Sequence, residues 1–68
     1  MKIGQLHVFL VLKGIKVYDS NYDLVGEALG FRDLAGILKI DSTHCILVEF
    51  GGKLIILNLT TMQIVKSI

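Results

Sequence analysis

The chain has 68 residues, which is enough for one small domain. Apolar residues make up 53% of it, and 7 Lys/Arg against 6 Asp/Glu leave a formal net charge of +1. Such a chain is too apolar and too evenly charged to be disordered. It lacks the excess of basic residues that is typical of nucleic-acid binding. Its one Cys cannot form an internal disulfide framework. A domain this small therefore needs dense packing or further subunits for stability.

The N-terminal segment predicts neither export nor a membrane span. Gln5 and His7 interrupt the apolar residues that follow Lys2, and no small-residue cleavage site comes after them. The continuous apolar run Val8–Leu12 is far shorter than the roughly 18 residues that a membrane span needs. We therefore expect a cytoplasmic protein with no membrane partner, in which a lone reduced Cys is ordinary.

Short runs of Ile, Val and Leu between turn residues predict an almost entirely β chain. The predicted strands are Leu6–Leu12, Ile15–Asp19, Tyr22–Ala28, Ala35–Ile40, Cys45–Phe50, Leu54–Leu59 and Met62–Ser67. Asp33 could instead cap a short helical turn at the start of the fourth run. Asp19 and Asn58 end their strands, where a short polar side chain accepts a hydrogen bond from the backbone two residues on.

The second half of the chain repeats the first. Val8–Gly14 aligns with Ile46–Gly52, and Ile15–Asp19 aligns with Leu54–Asn58 after one inserted residue, Lys53. Further on, Asp23–Val25 aligns with Gln63–Val65. We therefore treat 1–68 as a single all-β domain with internal repeats over approximately 6–28 and 44–68, joined by 29–43.

These repeats resemble β-propeller blades. Ile15–Gly26 and Leu54–Ile68 are similar to the third strand, turn and fourth strand of a blade, and Asp41–Val48 is similar to the approach to a second strand. A period of about forty residues is typical of such blades, although the Trp-Asp and Gly-His pairs of one subclass are missing. Because propellers have at least about four blades, the resemblance implies that several copies assemble a ring. The alternative is a small closed β-barrel.

Both hairpins carry apolar residues on both faces, which predicts self-association. We expect Phe50 to pair with Leu54, and no amphipathic helix is available as a cover. Exposing four such side chains would cost about 6–12 kcal/mol, which rivals the whole stability of a small domain. The sequence therefore predicts a homo-oligomer. The residues expected to meet a second copy are Phe9, Val11, Leu47, Ile55 and Leu57.

Candidate catalytic and metal-binding residues are few. His7, His44 and Cys45 are the only soft metal ligands. Because His44 and Cys45 are adjacent, they point to opposite faces of a strand. We therefore expect no metal and no cofactor. Glu49 interrupts an apolar strand and is either an acid or base, or a salt-bridged or edge-protecting residue. The sequence spacing places no nucleophile or second carboxylate near Glu49, so we expect that the protein is not an enzyme.

The longest connection, Leu29–Asp33, is the predicted site for a protein partner. Phe31 and Arg32 are residue types that anchor interfaces, and Asp33 follows them. A small barrel ring that binds single-stranded RNA or a nucleotide through Tyr18, Tyr22 and Phe31 is the alternative. The near-zero net charge argues against it, because phosphate binding normally needs a basic groove.

Overall fold

The computed structural model describes the whole chain, Met1–Ile68, and shows an all-β protein. It has eight strands and no helix, so no helix is present that could cross a membrane. The strands are β1 (Lys2–Ile3), β2 (Leu6–Val11), β3 (Gly14–Tyr18), β4 (Leu24–Leu29), β5 (Leu34–Lys39), β6 (His44–Glu49), β7 (Leu54–Asn58) and β8 (Gln63–Ser67). The all-β prediction is confirmed, while β1 has no counterpart among the predicted strands.

The strands form two four-stranded antiparallel sheets. Sheet 1 has the order β1-β2-β3-β4 and sheet 2 the order β5-β6-β7-β8, so every strand within a sheet pairs with its neighbour in sequence. Neither sheet is closed, and the alternative of a small closed barrel is therefore wrong. The segment 29–43, treated above as a connection, contains β5, which pairs with β6 and belongs to sheet 2. No helical turn follows Asp33, because strand pairing begins at Leu34.

Side-chain hydrogen bonds to the backbone end two strands in the predicted way. The carboxylate of Asp19 accepts hydrogen bonds from the backbone N–H groups of Asn21 and Asp23 at 2.9 and 3.0 Å. Asn58 Oδ1 accepts one from the N–H of Thr60 at 2.8 Å. The first of these turns extends to Asp23, and Tyr22 within it has a positive φ of 62°. The following strand therefore begins at Leu24 rather than at Tyr22.

The hairpin between β6 and β7 differs from the predicted register by two residues. Leu54 pairs with Val48 instead of Phe50, and the N–H of Glu49 donates to the Lys53 carbonyl at 2.9 Å. Phe50 thus lies in the turn and is exposed. A shift of two residues leaves each side chain on its original face of the sheet, so the predicted face composition survives the error.

One face of each sheet packs against the other sheet and forms the core. Four apolar residues of sheet 1, four of sheet 2, and Leu59, which follows β7, are buried with exposed fractions of 0–4%. They are Ile3, Val8, Ile15, Val17, Cys45, Leu47, Ile55, Leu57 and Leu59. Ten of the 68 residues are buried in all. The core is therefore small for a chain in which 53% of residues are apolar.

The core corrects the face assignment of sheet 2. Leu47, Ile55 and Leu57, predicted to contact a second copy, lie between the two sheets of the same chain. Alternation along the strands places their neighbours on the outward face instead. Phe9 and Val11 do lie on the outward face of sheet 1, because Phe9 pairs with Lys16 and the buried side is occupied by Val8 and its partners.

The two sheets have corresponding registers. Val8 pairs with Val17 in sheet 1, and the residues that the sequence alignment matches with them, Ile46 and Ile56, pair in sheet 2. A bulge interrupts the pairing of β3 with β4 after Val17, and one interrupts the pairing of β7 with β8 after Ile56. Because bulges bend a sheet at defined positions, the two sheets share their local distortion as well as their strand order.

Gly14 allows β3 to pack closely against β4. A Cβ atom at this position would lie 1.9 Å from the Ala28 carbonyl oxygen, a backbone atom that cannot rotate away. We expect Gly14→Ala to lower the free energy of unfolding by about 3 kcal/mol or more, at or beyond the upper range for overpacking. The measurement is urea denaturation followed by circular dichroism.

Gly51→Ala is the matched control for this substitution. Gly51 lies in the other hairpin turn, where an added Cβ atom would meet nothing within 4 Å, and its φ is not positive. Its variant should unfold at nearly the wild-type urea concentration. Equal urea midpoints for the two variants would contradict the close packing of β3 against β4.

Candidate interaction surfaces

The outward face of sheet 1 is an aromatic surface. We name it the aromatic face and define it by His7, Phe9, Val11, Lys16 and Tyr18, which share one side of β2 and β3 through their cross-strand pairs. Phe9 and Tyr18 meet edge to face with ring centroids 5.6 Å apart. Such a contact stabilises by about 0.5–1.5 kcal/mol beyond its buried area and holds both rings in place on the surface.

Tyr22 extends the aromatic face beyond the strands. Its ring stacks on the His7 imidazole, with centroids 4.3 Å apart and planes 19° apart. Together with Phe9, Val11, Lys16 and Tyr18 it encloses a shallow, mainly apolar depression of about 300 Å³. This depression lies opposite the core face of sheet 1, so nothing else in the chain covers it.

The outward face of sheet 2 is aliphatic. We name it the aliphatic face and define it by residues that share one side of β5, β6 and β7: Leu38, Ile46, Val48, Leu54 and Ile56. Leu38 is 55% exposed, and the other four are partly exposed. Lys66 of β8, the cross-strand partner of Ile56, is a charged neighbour at the edge of this face. A monomer thus leaves a row of aliphatic side chains in water on the side of sheet 2 that faces away from the core.

The predicted partner loop, Leu29–Asp33, crosses one end of the two sheets. The N–H of Phe31 donates to the Lys13 carbonyl in the first hairpin turn, and the Asp33 carbonyl accepts from the N–H of Phe50 in the second, both at 3.0 Å. Phe31 is partly buried against the core, whereas Arg32 and Asp33 are exposed. The loop is therefore fixed at both ends, and Arg32 rather than Phe31 is its most accessible anchor.

Glu49 lies beside this loop and carries no ion pair with a lysine. Its Oε2 atom accepts a hydrogen bond from the backbone N–H of Arg32 at 3.3 Å. Glu49 also lines a cleft of about 590 Å³, together with Arg32, Asp33 and Lys53. Two cations and two anions give a cleft of mixed charge, which suits a protein surface better than a single anionic ligand.

Asp41, Thr43 and His44 form the only ion-pair cluster, and its geometry is that of a turn. Asp41 Oδ1 accepts hydrogen bonds from the N–H groups of Thr43 and His44 and from the Thr43 hydroxyl. His44 Nδ1 contacts both the Asp41 carboxylate, at 3.1 Å, and the Thr43 hydroxyl, at 2.8 Å. Because one imidazole nitrogen meets both partners, the ring cannot pass a proton from the hydroxyl to the carboxylate.

The single cysteine belongs to the core. Cys45 has no exposed surface, and burial raises the pKa of its thiol to about 11. The thiolate, which is the nucleophile and metal ligand, is therefore strongly disfavoured. No three His, Cys, Asp or Glu side chains are grouped so that they could hold a metal ion.

Similarity to other proteins gives no further constraint. No protein-family model, curated protein sequence or solved structure matches the chain. The inference of function therefore rests on the two outward faces and the loop.

The acid dependence of stability tests the turn at Asp41. Hydrogen bonds, chiefly from the Thr43 backbone and next from the His44 side chain, lower the pKa of the Asp41 carboxyl from 3.8 to about 2. The unfolded chain therefore binds more protons in this range, so this contribution to stability is complete above pH 3.8 and is lost as the pH falls towards 2. We expect Asp41→Asn to flatten the fall in the free energy of unfolding between pH 4 and about 2.

Asp23→Asn is the control for this pH titration. Asp23 is exposed, and its carboxylate accepts no hydrogen bond. Urea unfolding at several pH values should give this variant the wild-type slope. A wild-type slope for Asp41→Asn as well would show that the turn does not hold its carboxylate ionised.

Proposed function

We propose that this chain is a non-enzymatic structural or interaction protein that self-associates through sheets that are apolar on both faces. The observation that carries the proposal is the pair of outward surfaces, the aromatic face and the aliphatic face, which remain open after the two sheets have covered each other. Burying a large aliphatic or aromatic side chain stabilises by about 1.5–3 kcal/mol. Covering both faces by further copies therefore supplies stability that the small core cannot.

The architecture of the proposed unit is a tandem pair of β-propeller-blade-like sheets. Shared strand order, corresponding registers and bulges at matched positions support this interpretation. In addition, Tyr22 and Met62, which precede the aligned segments Asp23–Val25 and Gln63–Val65, both have positive φ values, 62° and 59°. Each chain would contribute two sheets to a larger ring in the cytoplasm, where its single Cys stays reduced.

The loop Leu29–Asp33 would present the assembly to a protein partner. Arg32 and Asp33 are exposed on a loop that is hydrogen-bonded to both hairpin turns, so their positions are set before binding. Preorganised loops lose little entropy on binding. The adjoining mixed-charge cleft supports a protein partner rather than a phosphate-rich one.

Single-stranded RNA is the second candidate partner, and one observation favours it. Tyr18 and Tyr22 lie together on the aromatic face beside Lys16, as base stacking would need. Phe31, by contrast, packs against the core. Glu27 pairs with Lys16 across β3 and β4 and offsets its charge, which favours a protein surface as the occupant of this face.

Sedimentation velocity at micromolar concentration tests self-association. We expect the wild-type chain to sediment as a species larger than 7.5 kDa. Phe9→Glu places a charge on the aromatic face and should raise the dissociation constant at least about 30-fold, because burying an unpaired carboxylate adds to the loss of roughly 2 kcal/mol of apolar contact. Leu12→Glu is the control and should leave the dissociation constant unchanged, since Leu12 is 90% exposed in a turn. A monomeric wild type would contradict the proposal.

Partner capture from a cell extract tests the loop separately. Arg32→Glu should lose proteins that the wild type retains, because it reverses the charge of the accessible anchor while leaving the backbone N–H donor to Glu49 in place. Lys39→Glu, an equal change of charge on β5, should retain them. If both variants retain the same proteins as the wild type, the loop is not the partner site.

A further inference from the structure

We propose that the aromatic face of one copy docks on the aliphatic face of the next, repeating between chains the packing that joins the two sheets within a chain. The inference rests on the proposed function and specifies its interface.

The core face of sheet 1 corresponds to the outward face of sheet 2. Val8, Ile15 and Val17 are buried in the core. The residues aligned with them in the second repeat, Ile46, Leu54 and Ile56, lie on the aliphatic face. All three aligned positions are apolar in both repeats, although only the first set is fully buried within the chain. The aliphatic face therefore has the composition of a face that packs against another sheet.

The reverse correspondence holds for the other side. Leu47, Ile55 and Leu57 of sheet 2 are buried in the core, and the residues aligned with them in sheet 1 are Phe9, Lys16 and Tyr18 of the aromatic face. The sheets of one chain thus pack front to back. This relation is heterologous, because two different surfaces meet, and a heterologous contact leaves one unused surface of each kind at the two ends.

A second copy matches these unused surfaces better than a pairing of like faces does. Two aromatic faces could pair around a twofold axis, but both aliphatic faces would then stay in water. Two aliphatic faces could pair, but both aromatic faces would then stay in water. Front-to-back docking in a closed ring covers both faces of every copy, and the row of aliphatic side chains would enter the depression of about 300 Å³ on the aromatic face.

Front-to-back docking closes into a ring or continues as a filament, depending on the rotation between copies. A ring of propeller type has about four to eight sheets, which corresponds to about two to four copies of a chain with two sheets. The aromatic face and the aliphatic face then act as complementary halves of every joint between chains.

Mixing two blocked variants tests the heterologous contact. Phe9→Glu blocks the aromatic face, and Leu38→Glu blocks the aliphatic face at a residue that is 55% exposed, so both should fold, which circular dichroism checks. Each variant alone should sediment as a monomer. Their equimolar mixture should form a species of two chains, because one unblocked face of each kind remains.

The outcomes separate this inference from the proposed function. A monomeric wild type overturns both. An associating wild type with a mixture that stays monomeric overturns the front-to-back contact. Association that only one of the two substitutions weakens also overturns it and leaves self-association through like faces. If the two variants do not bind each other in the mixture but bind short single-stranded RNA, the front-to-back contact is also overturned. The aromatic face is then assigned to RNA.

A gain of affinity provides a second test that does not depend on disruptive variants. Lys16 occupies the position that Ile55 holds in the buried face of sheet 2. Lys16→Ile should therefore lower the dissociation constant between copies at least about tenfold, because an apolar side chain replaces a charge that the contact covers. Lys13→Ile, a change of equal chemistry in a turn, should leave the constant unchanged. Equal constants for the two variants would overturn the inference.

Discussion

The structure depends on the packing of one apolar sheet face against another. Within the chain this happens once, between the face of Val8, Ile15 and Val17 and the face of Leu47, Ile55 and Leu57. Two sheets have four faces, so one such contact leaves two faces open, one aliphatic and the other aromatic with Lys16 beside its rings. Turn hydrogen bonds and glycines position the strands, and the two open faces are the basis for the proposed assembly of several copies.

Sequence patterns predict most of the fold because the signals are local. Alternating β-branched and leucine residues locate seven of the eight strands, and Asp19 and Asn58 fix the turns that follow them. The strand β1 is missed because it has two residues and is held by pairing with β2, which no local pattern encodes. The register of the second hairpin is displaced by two residues because Gly51 and Gly52 allow more than one turn.

The choice of the outward face is harder to predict than the strands. On β6 and β7 both faces are rich in Ile, Leu and Val, so composition does not distinguish Leu47 from Ile46. Aligning the repeats does not identify the outward face either, because aligned residues lie on the core face in one sheet and on the outward face in the other. Front-to-back packing depends on how the two sheets fit together, so the sequence of either sheet alone does not predict it. The loop at Phe31 is similar: its aromatic ring resembles an anchor in sequence but packs inward.

Isotope-filtered nuclear Overhauser spectroscopy measures the contact between copies most directly. A sample in which labelled and unlabelled chains are mixed reports only proximities between different molecules. The account predicts cross-peaks that join the ring protons of Phe9 and Tyr18 in one chain to the methyl groups of Val48 and Ile56 in another. Cross-peaks that join only like faces, or none at all at millimolar concentration, would contradict it.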